Sequence, residues 1–514
     1  MNAKAVIIAE TNRLDTPDSP ATFPVNYRSL GSHVVKGQLD TMGIESTVID
    51  FCFHFDQEDL IKGVKRYFEN TDVQYICISS ALSQGLEKYY IELAREIKGH
   101  LPNAKILYGG KRKVQRGEME HFQYVDAVFM GRAVEMLDDF VNNKDMSKYV
   151  QNPEFPNLFT NHNYNYELEK PVSYSLFKPD DFLNSTDVVG FEVALGCKFN
   201  CSFCNYPLRG SKTLYMNCEE QLYYTMQNAY DTYGITHFYA ADDTLNESDE
   251  KLQLLVDVVK RLNFQPKITS FARLDVMAKR PHQIDMYNEI GMNAANFGVE
   301  SFTKSAIKGA RKKSTLEDLV YVVERLRKEI KDFWVSSNFI FGLANDNYEE
   351  FINNLHYVER NRLVDNAGTI PLGIDPYEHM KGWKAPKSGF EGEWIAWDEG
   401  AFSDLDKFPE KSGYQIDPKT LRWSNDYTDR QEAIDKADEY NKELHQRNII
   451  TTHIEAFTWQ SVLSQGIANS RNDWYDQMND LTGRGMTQKA NIITNNNIYK
   501  YVDKKLNWLI NDEL

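Results

Sequence analysis

Short apolar runs alternate with amphipathic segments in two long series, and no other feature restricts the fold of this chain as strongly. In the first series Lys4–Ala9, Glu45–Asp50 and Val73–Ser79 read as strands, separated by helix-like Tyr27–Met42 and Glu58–Asn70. The helix Leu86–Gly99 follows, then Ala104–Tyr108, which leads into Gly109-Gly110, and Ala127–Met130, which ends at Gly131. Parallel strands need long crossovers, usually helices, so residues 1–150 are expected to form a Rossmann-like, doubly wound α/β sheet. Ligands of such sheets sit beyond the carboxyl ends of the strands. Ser79-Ser80, Gly109-Gly110 and Gly131 occupy those ends, and small residues let a bulky ligand approach the backbone.

Residues 151–187, rich in Asn, Pro and Tyr and without periodicity, read as a linker. The second series opens with the strand Val188–Leu195 and the helix that Asn217 is expected to cap, with Glu219 and Glu220 in its first turn and Gly234 as its stop. Thr236–Ala241, Lys267–Ala272, Asn293–Val299, Trp334–Phe341 and Gly368–Leu372 are further strands. They alternate with the helices Ser248–Leu262, Pro281–Ile290, Leu316–Ile330 and Tyr348–Arg360. Six such repeats over 188–374 predict a partial (β/α)6 barrel with its functional groups at the C-terminal ends of the strands. Residues 375–514 show weaker periodicity, with helical Asp429–Gln446 and His453–Gln465, and are expected to form a mixed, mainly helical region that covers the substrate.

Charge and composition exclude several classes. The 514-residue chain carries 58 Lys and Arg against 75 Asp and Glu, a formal charge of −17 with no basic block, which argues against a nucleic-acid partner. Lys308–Lys313 is the densest basic cluster and reads as a solvated turn. The apolar run Ala5–Ala9 is too short for a signal peptide, and no run reaches membrane-spanning length, so a cytoplasmic protein without a membrane partner is expected. Six cysteines are too few for a disulfide scaffold of this length, which leaves reduced thiols or metal ligands. Cys52 and Cys77 fall in apolar runs, where an inert buried thiol is expected.

Three of the six, Cys197, Cys201 and Cys204, fall within eight residues as C-x3-C-x2-C after a strand. Three thiolates at this spacing can hold three corners of a cubane cluster and leave one iron open. The alternative is a closed zinc site with Cys218 as fourth ligand in a non-catalytic binding protein. Against it, Cys218 sits where the next helix begins, and paired C-x2-C knuckles are missing.

The triad, with Phe203 before its last cysteine and the strands through about 345, resembles the radical S-adenosylmethionine (radical SAM) superfamily. The resemblance implies a [4Fe-4S] cluster on Cys197, Cys201 and Cys204 whose open iron takes the amino and carboxylate groups of S-adenosyl-L-methionine. Reductive cleavage then releases a 5′-deoxyadenosyl radical. It also implies a small-molecule or peptide substrate and an electron donor such as flavodoxin or ferredoxin.

The same resemblance makes Asp242 and Asp243 candidates for the methionyl ammonium, Arg273 for the carboxylate, and Glu300 for the ribose hydroxyls. Gly342, in Phe341-Gly342-Leu343, would pack against adenine. The structural alternatives are a turn with a helix-capping Asp, an Arg273–Asp275 pair, and an Arg–Glu bridge at Glu300. No residue is singled out as catalytic. The first sheet is similar to the cobalamin-binding domain that precedes many radical SAM barrels, through Ser79-Ser80, Gly109-Gly110 and Asp126–Glu135. It departs from that pattern at Gly131-Arg132-Ala133-Val134-Glu135, where the family has Gly-Glu-x-Glu, and it lacks Asp-x-His-x-x-Gly. Cobalamin, and cobalamin-dependent methylation, therefore remain open. No cysteine follows Cys218, which excludes C-terminal auxiliary clusters. Without a second three-cysteine set near the N-terminus, a methylthiotransferase is disfavoured too. A tRNA-modifying radical enzyme is the remaining competitor, and the acidic balance counts against it.

Overall fold

The computed structural model describes residues 2–9, 25–79, 87–110, 124–130, 134–151, 157–160, 177–199, 201, 203–204, 214–344, 346–372, 414–416, 423–446, 455–480 and 483–511. Ser80, Gly131, Arg132, Ala133, much of the linker and 375–413 lie outside the described residues.

In the first series β1 (Ala3–Ala9) runs to α1 (Leu30–Thr41), β2 (Glu45–Ile49), α2 (Gln57–Tyr67), β3 (Val73–Ser79) and α3 (Glu87–His100). Then come β4 (Lys105–Gly110), β5 (Ala127–Met130), α4 (Val134–Val141), β6 (Val150–Gln151) and β7 (Leu158–Thr160). The sheet order is β2-β1-β3-β4-β5-β7-β6, parallel apart from the β6–β7 pair. The sequence therefore builds the expected doubly wound sheet, whose order reverses between β1 and β3. Register brings Ala9, Ser79 and Gly109 level at the carboxyl edge. Local chemistry sets the helix starts: the Asp56 side chain accepts from the Asp59 N–H, and Leu60, Val64 and Tyr67 form the buried face of α2.

The second sheet takes one strand from each repeat: β8 (Val189–Phe191), β11 (His237–Ala240), β12 (Lys267–Arg273), β13 (Met292–Glu300), β14 (Trp334–Phe341) and β15 (Asn366–Pro371). They pair in parallel in that order, and β15 does not close onto β8, so the barrel is partial. On its outer side pack α5 (Glu219–Tyr233), α6 (Asp249–Arg261), α7 (Leu274–Lys279), α8 (Gln283–Glu289), α9 (Lys304–Gly309), α10 (Leu316–Glu329) and α11 (Tyr348–Arg360), around a core that includes Phe238, Ile268, Ala295, Phe297 and Val335. The opposite side chains face the barrel interior in rows fixed by register. The lowest row is Gly190, Tyr239, Thr269, Ala294 and Trp334; the next is Phe271, Asn296, Ser336 and Asn366; above it stand Arg273, Gly298, Asn338 and Gly368.

Two expectations are corrected here. The strand over Val188–Leu195 is broken into β8 and β9 (Ala194–Leu195), because the Asp242 carboxylate takes the Val193 and Ala194 N–H groups, each at 2.9 Å. A short β10 (Tyr215–Met216) pairs antiparallel with β9. The cap of α5 is Cys218, not Asn217, whose amide instead donates to the Glu192 carbonyl at 2.9 Å.

The C-terminal region divides. After α12 (Arg430–Gln446), α13 (Ala456–Ser464) plugs the bottom of the barrel, with Trp459 stacked on Trp334 at 4.1 Å and Phe457 against Tyr239 and Phe271. After α14 (Arg471–Asp480), α15 (Gly483–Asn511) returns to the first sheet and adds Ile498, Tyr501, Val502 and Leu509 to its core. It does not form part of one covering region over the substrate.

A buried ionic network joins these parts. Arg28 pairs with Asp187 at 2.9 Å and Asp50 at 3.3 Å, and Lys36 with Asp181 at 2.7 Å and Asp180 at 3.0 Å. From α15, the Tyr501 hydroxyl accepts from the Asp50 N–H, and Lys505 donates to the Asp180 carbonyl. Burial pushes the Asp50 carboxyl up, but His33 and Arg28 outweigh it and hold it at about 2. Burial pushes Lys505 down to about 8. Removing one partner of such a pair strands a charge away from water, at a cost of roughly 3–5 kcal/mol. Arg28→Met is therefore expected to lower the urea midpoint by that amount of stability, and an unchanged midpoint would mean the network holds nothing together.

Candidate active site at the mouth of the barrel

The cysteine loop leaves β9 at Gly196, whose φ of +112° turns the chain sharply into Cys197. Cys201 is buried, and Cys197 and Cys204 are half-buried. Burial is the main influence on the Cys197 thiol and pushes it up, with the Glu247 and Asp243 carboxylates adding to the effect. Among the described residues no three Cys, His, Asp or Glu side chains converge on one metal position, so the thiols share a loop without meeting at a point. As a donor set they suit an iron–sulfur cluster: three thiols in one short loop, one of them beside a cation. Cys218 does not complete a zinc site. The pairing of Met216 with Ala194 directs the chain at Cys218 back toward Glu192, away from the end of β9 where the cysteine loop begins.

Arg273, at the end of β12, donates from Nη1 to Cys201 Sγ at 3.0 Å and lies over the Phe199 ring at 4.0 Å. Its Nε and Nη2 are taken bidentately by Asp275, both at 2.9 Å. Asn246 fixes the backbone beneath it, accepting from the Arg273 N–H at 2.8 Å and donating to the Arg273 carbonyl at 3.0 Å.

Glu300 ends β13 in the left-handed region at φ +70°, beside a register shift between Gly298 and Glu300. Its partner is Lys312, at 2.6 Å; Lys312 also donates to the Gly298 carbonyl at 2.7 Å and lies 5.5 Å from the Phe203 ring centre. A Cβ on Gly298 would fall 2.6 Å from Glu300 Oε1 and 2.8 Å from Lys312 Nζ, so glycine makes the space for this pair. The turn over Lys308–Lys313 is thus not wholly solvated: Lys312 is buried because Glu300 offers it a charge there.

The two aspartates separate. Asp242 is buried and spent on Lys251 at 2.6 Å and on the two backbone N–H groups of the cysteine strand. Asp243 is exposed. Lys251 also pairs with Glu247 at 3.1 Å, and Glu247 accepts from the Lys198 N–H inside the cysteine loop. The structure therefore brings Cys201 to Arg273 and places Phe203 beside the Lys312–Glu300 pair, while Asp242 works in the scaffold. Lys251, Glu247, Asn246 and Lys312 were missed by sequence reasoning. Lys251 left one signal, a cation in the first turn of a helix, where the dipole disfavours it unless an acid waits nearby.

Behind Glu300, Ser301 Oγ donates to Asp346 at 3.3 Å. Burial is the main cause that pushes the Asp346 carboxyl up to about 7.

The described mouth of the barrel gathers the cysteine loop, Arg273 and the Lys312–Glu300 pair. Residues 191–358 match the Radical SAM superfamily. Over 417 residues the chain is 21% identical to bacteriochlorophyllide d C-8(2)-methyltransferase of Chlorobaculum tepidum, an alignment covering 78% of this chain and 81% of that protein. Its fold is similar to that of the cobalamin-dependent S-adenosylmethionine radical enzyme OxsB, solved with aqua-cobalamin and S-adenosylmethionine (TM-score 0.57, 13% identity, 98% of this chain and 80% of that one). The radical S-adenosylmethionine methyltransferase TsrM of Kitasatospora setae is similar over 72% of this chain and 73% of its own, with TM-score 0.53 and 13% identity.

Two outcomes follow from the geometry. Lys312→Met leaves Glu300 buried without a partner and should cost roughly 3–5 kcal/mol in chemical denaturation, most of it recovered when Glu300→Gln is added. For Asp346, a carboxyl held above its ordinary value contributes fully below about pH 4, and that contribution is lost as pH rises through about 7. Asp346→Asn should then match the parent near pH 4 and exceed it at pH 8 by on the order of 4 kcal/mol, read by thermal unfolding at both pH values.

Proposed function

Residues 191–358 are a radical SAM domain, and from that premise we propose that this radical SAM enzyme is a cobalamin-dependent methyltransferase of a small-molecule or peptide substrate. The observation that carries the reading is the cysteine loop at the mouth of an open parallel barrel, with Arg273 Nη1 3.0 Å from Cys201 Sγ. Cys197, Cys201 and Cys204 would hold a [4Fe-4S] cluster, and that cluster would supply the electron for reductive cleavage of S-adenosylmethionine. Cobalamin, when bound, supplies a methyl carrier. Supporting it are the small residues Ser79, Gly109 and Gly110 at the carboxyl edge of the first sheet, next to the order reversal where ligands of such sheets bind. The relatives named above, two of them methyltransferases and one solved with cobalamin, point the same way.

The chain's own residues have distinct tasks in this reading. Asp243, exposed at the end of β11, faces the cosubstrate's ammonium, and the Arg273 guanidinium its carboxylate. Asp275 keeps that guanidinium in one orientation through two parallel hydrogen bonds. Glu300, at the end of β13, lies toward the ribose hydroxyls, with Lys312 holding its charge. Residues 1–150, completed by β7, serve as cofactor sheet and 188–374 as reaction barrel, and α13 closes the end of that barrel opposite the cysteine loop. Among the described residues no helix is long and apolar enough to cross a membrane, and we place the enzyme in the cytoplasm with a flavodoxin or ferredoxin as reductant.

Electron paramagnetic resonance of the anaerobically reconstituted, dithionite-reduced protein tests this. A four-iron signal that shifts on adding S-adenosylmethionine, and is lost or altered in Cys201→Ala, is expected. Zinc in place of iron and acid-labile sulfide would sink the reading, and a chain that retains no cobalamin after reconstitution would remove the methyl-carrier part.

A further inference from the structure

The guanidinium of Arg273 is committed in a way that carboxylate capture alone does not require. It offers five N–H donors. Asp275 takes Nε and Nη2 side by side, and Cys201 Sγ takes Nη1 at 3.0 Å, which leaves two donors for a cosubstrate carboxylate. The group is also held in place. The Phe199 ring covers it at 4.0 Å. Asn246 takes both backbone polar groups of Arg273 and is itself paired with Gln283 at 3.3 Å.

Its position gives that contact weight. Arg273 is 6% exposed and Cys201 9%, so water screens their interaction little. Other charges around the cysteine loop are acidic or already matched. Asp243 is exposed at the end of β11, and Glu247 accepts from the Lys198 N–H. Lys251 lies between Asp242 and Glu247, and Lys312 is paired with Glu300. Arg273 instead reaches one of the three thiols directly. Asp275 offsets its charge at a distance, but the hydrogen bond to sulfur is local. Reducing an iron–sulfur cluster by one electron raises the negative charge on its sulfurs, so a donor fixed on one of them favours the reduced form.

We propose that Arg273 sets the reduction potential of the cluster that this loop would hold: through Cys201 it raises that potential and eases reduction by a protein donor. Asp275 and Phe199 are positioning residues for the guanidinium. The electron comes from a donor of the flavodoxin or ferredoxin class, which is oxidised by one electron as the cluster is reduced. This rests on the radical SAM reading for the cluster and is independent of cobalamin and methyl transfer.

The test is a potentiometric titration of the anaerobically reconstituted full chain without S-adenosylmethionine, followed by electron paramagnetic resonance, with iron and acid-labile sulfide measured on every sample. In Arg273→Met the ratio of reduced to oxidised cluster at the parent's midpoint is expected to fall at least tenfold, about 59 mV for one electron. Arg273→Lys keeps the charge without the planar fork that Asp275 orients, and a severalfold fall is expected. If Arg273→Met does not fold or load, adding Asp275→Asn removes both charges of the pair together and should still lower the midpoint. Should neither load, Arg273→Lys decides. An unchanged or raised midpoint in the loaded variants overturns the proposal, and so does a parent that takes up zinc in place of a cluster. The response to S-adenosylmethionine, read afterwards on the same samples, separates the two conclusions. A parent cluster that responds while its potential ignores Arg273 keeps the enzyme reading and removes this one. An Arg273-dependent potential without any response does the reverse.

Discussion

A lysine with no exposed surface organises the reaction end of this molecule. Lys251 sits between Asp242 and Glu247, and each acid has a second task in the cysteine strand or loop. Asp242 takes two backbone N–H groups that would otherwise continue the first barrel strand, and Glu247 takes the Lys198 N–H. Burial pushes the Asp242 carboxyl up, and the Lys251 ammonium 2.6 Å away offsets part of that cost. The loop that carries the three thiols is therefore aimed by a charge balance built on the next strand and helix.

The rest of the mouth follows the same economy of charge. Arg273 and Lys312 each meet an acid, and each also lies over an aromatic ring of the cysteine loop, Phe199 or Phe203. Cations held between a carboxylate and a ring face have few alternative positions, so the loop and the strand ends keep a fixed relation. Pre-set dipoles and charges of this kind suit a site in which a reactive species must be shielded from water.

Much of this was legible in the chain. The strand Trp334–Phe341 and the helix Tyr348–Arg360 have the boundaries their periodicity predicts, because apolar spacing and the Asn347 cap are local. The cysteine spacing was legible for the same reason. The break after Phe191 was not, since its cause is a carboxylate 49 residues on from Val193. Nor was the burial of Lys312, which depends on a glycine across the turn and on an acid in a left-handed conformation. Asn296 and Ser336 read as ordinary strand residues until register sets them side by side. Interactions that cross the sheet leave no mark in a window of a dozen residues.

The placement of α15 has a consequence for how the protein is made. Ile498, Tyr501, Val502 and Leu509 complete a core whose other walls come from residues 6–128 and Leu158. During translation the first sheet leaves the ribosome long before these side chains exist, while domains usually fold in order of emergence. Its α2 face must stay open, with apolar surface bare, through synthesis of more than 300 further residues. Such a nascent chain is a natural client for a holding chaperone, and the sheet would be a poor module to lift out and express alone.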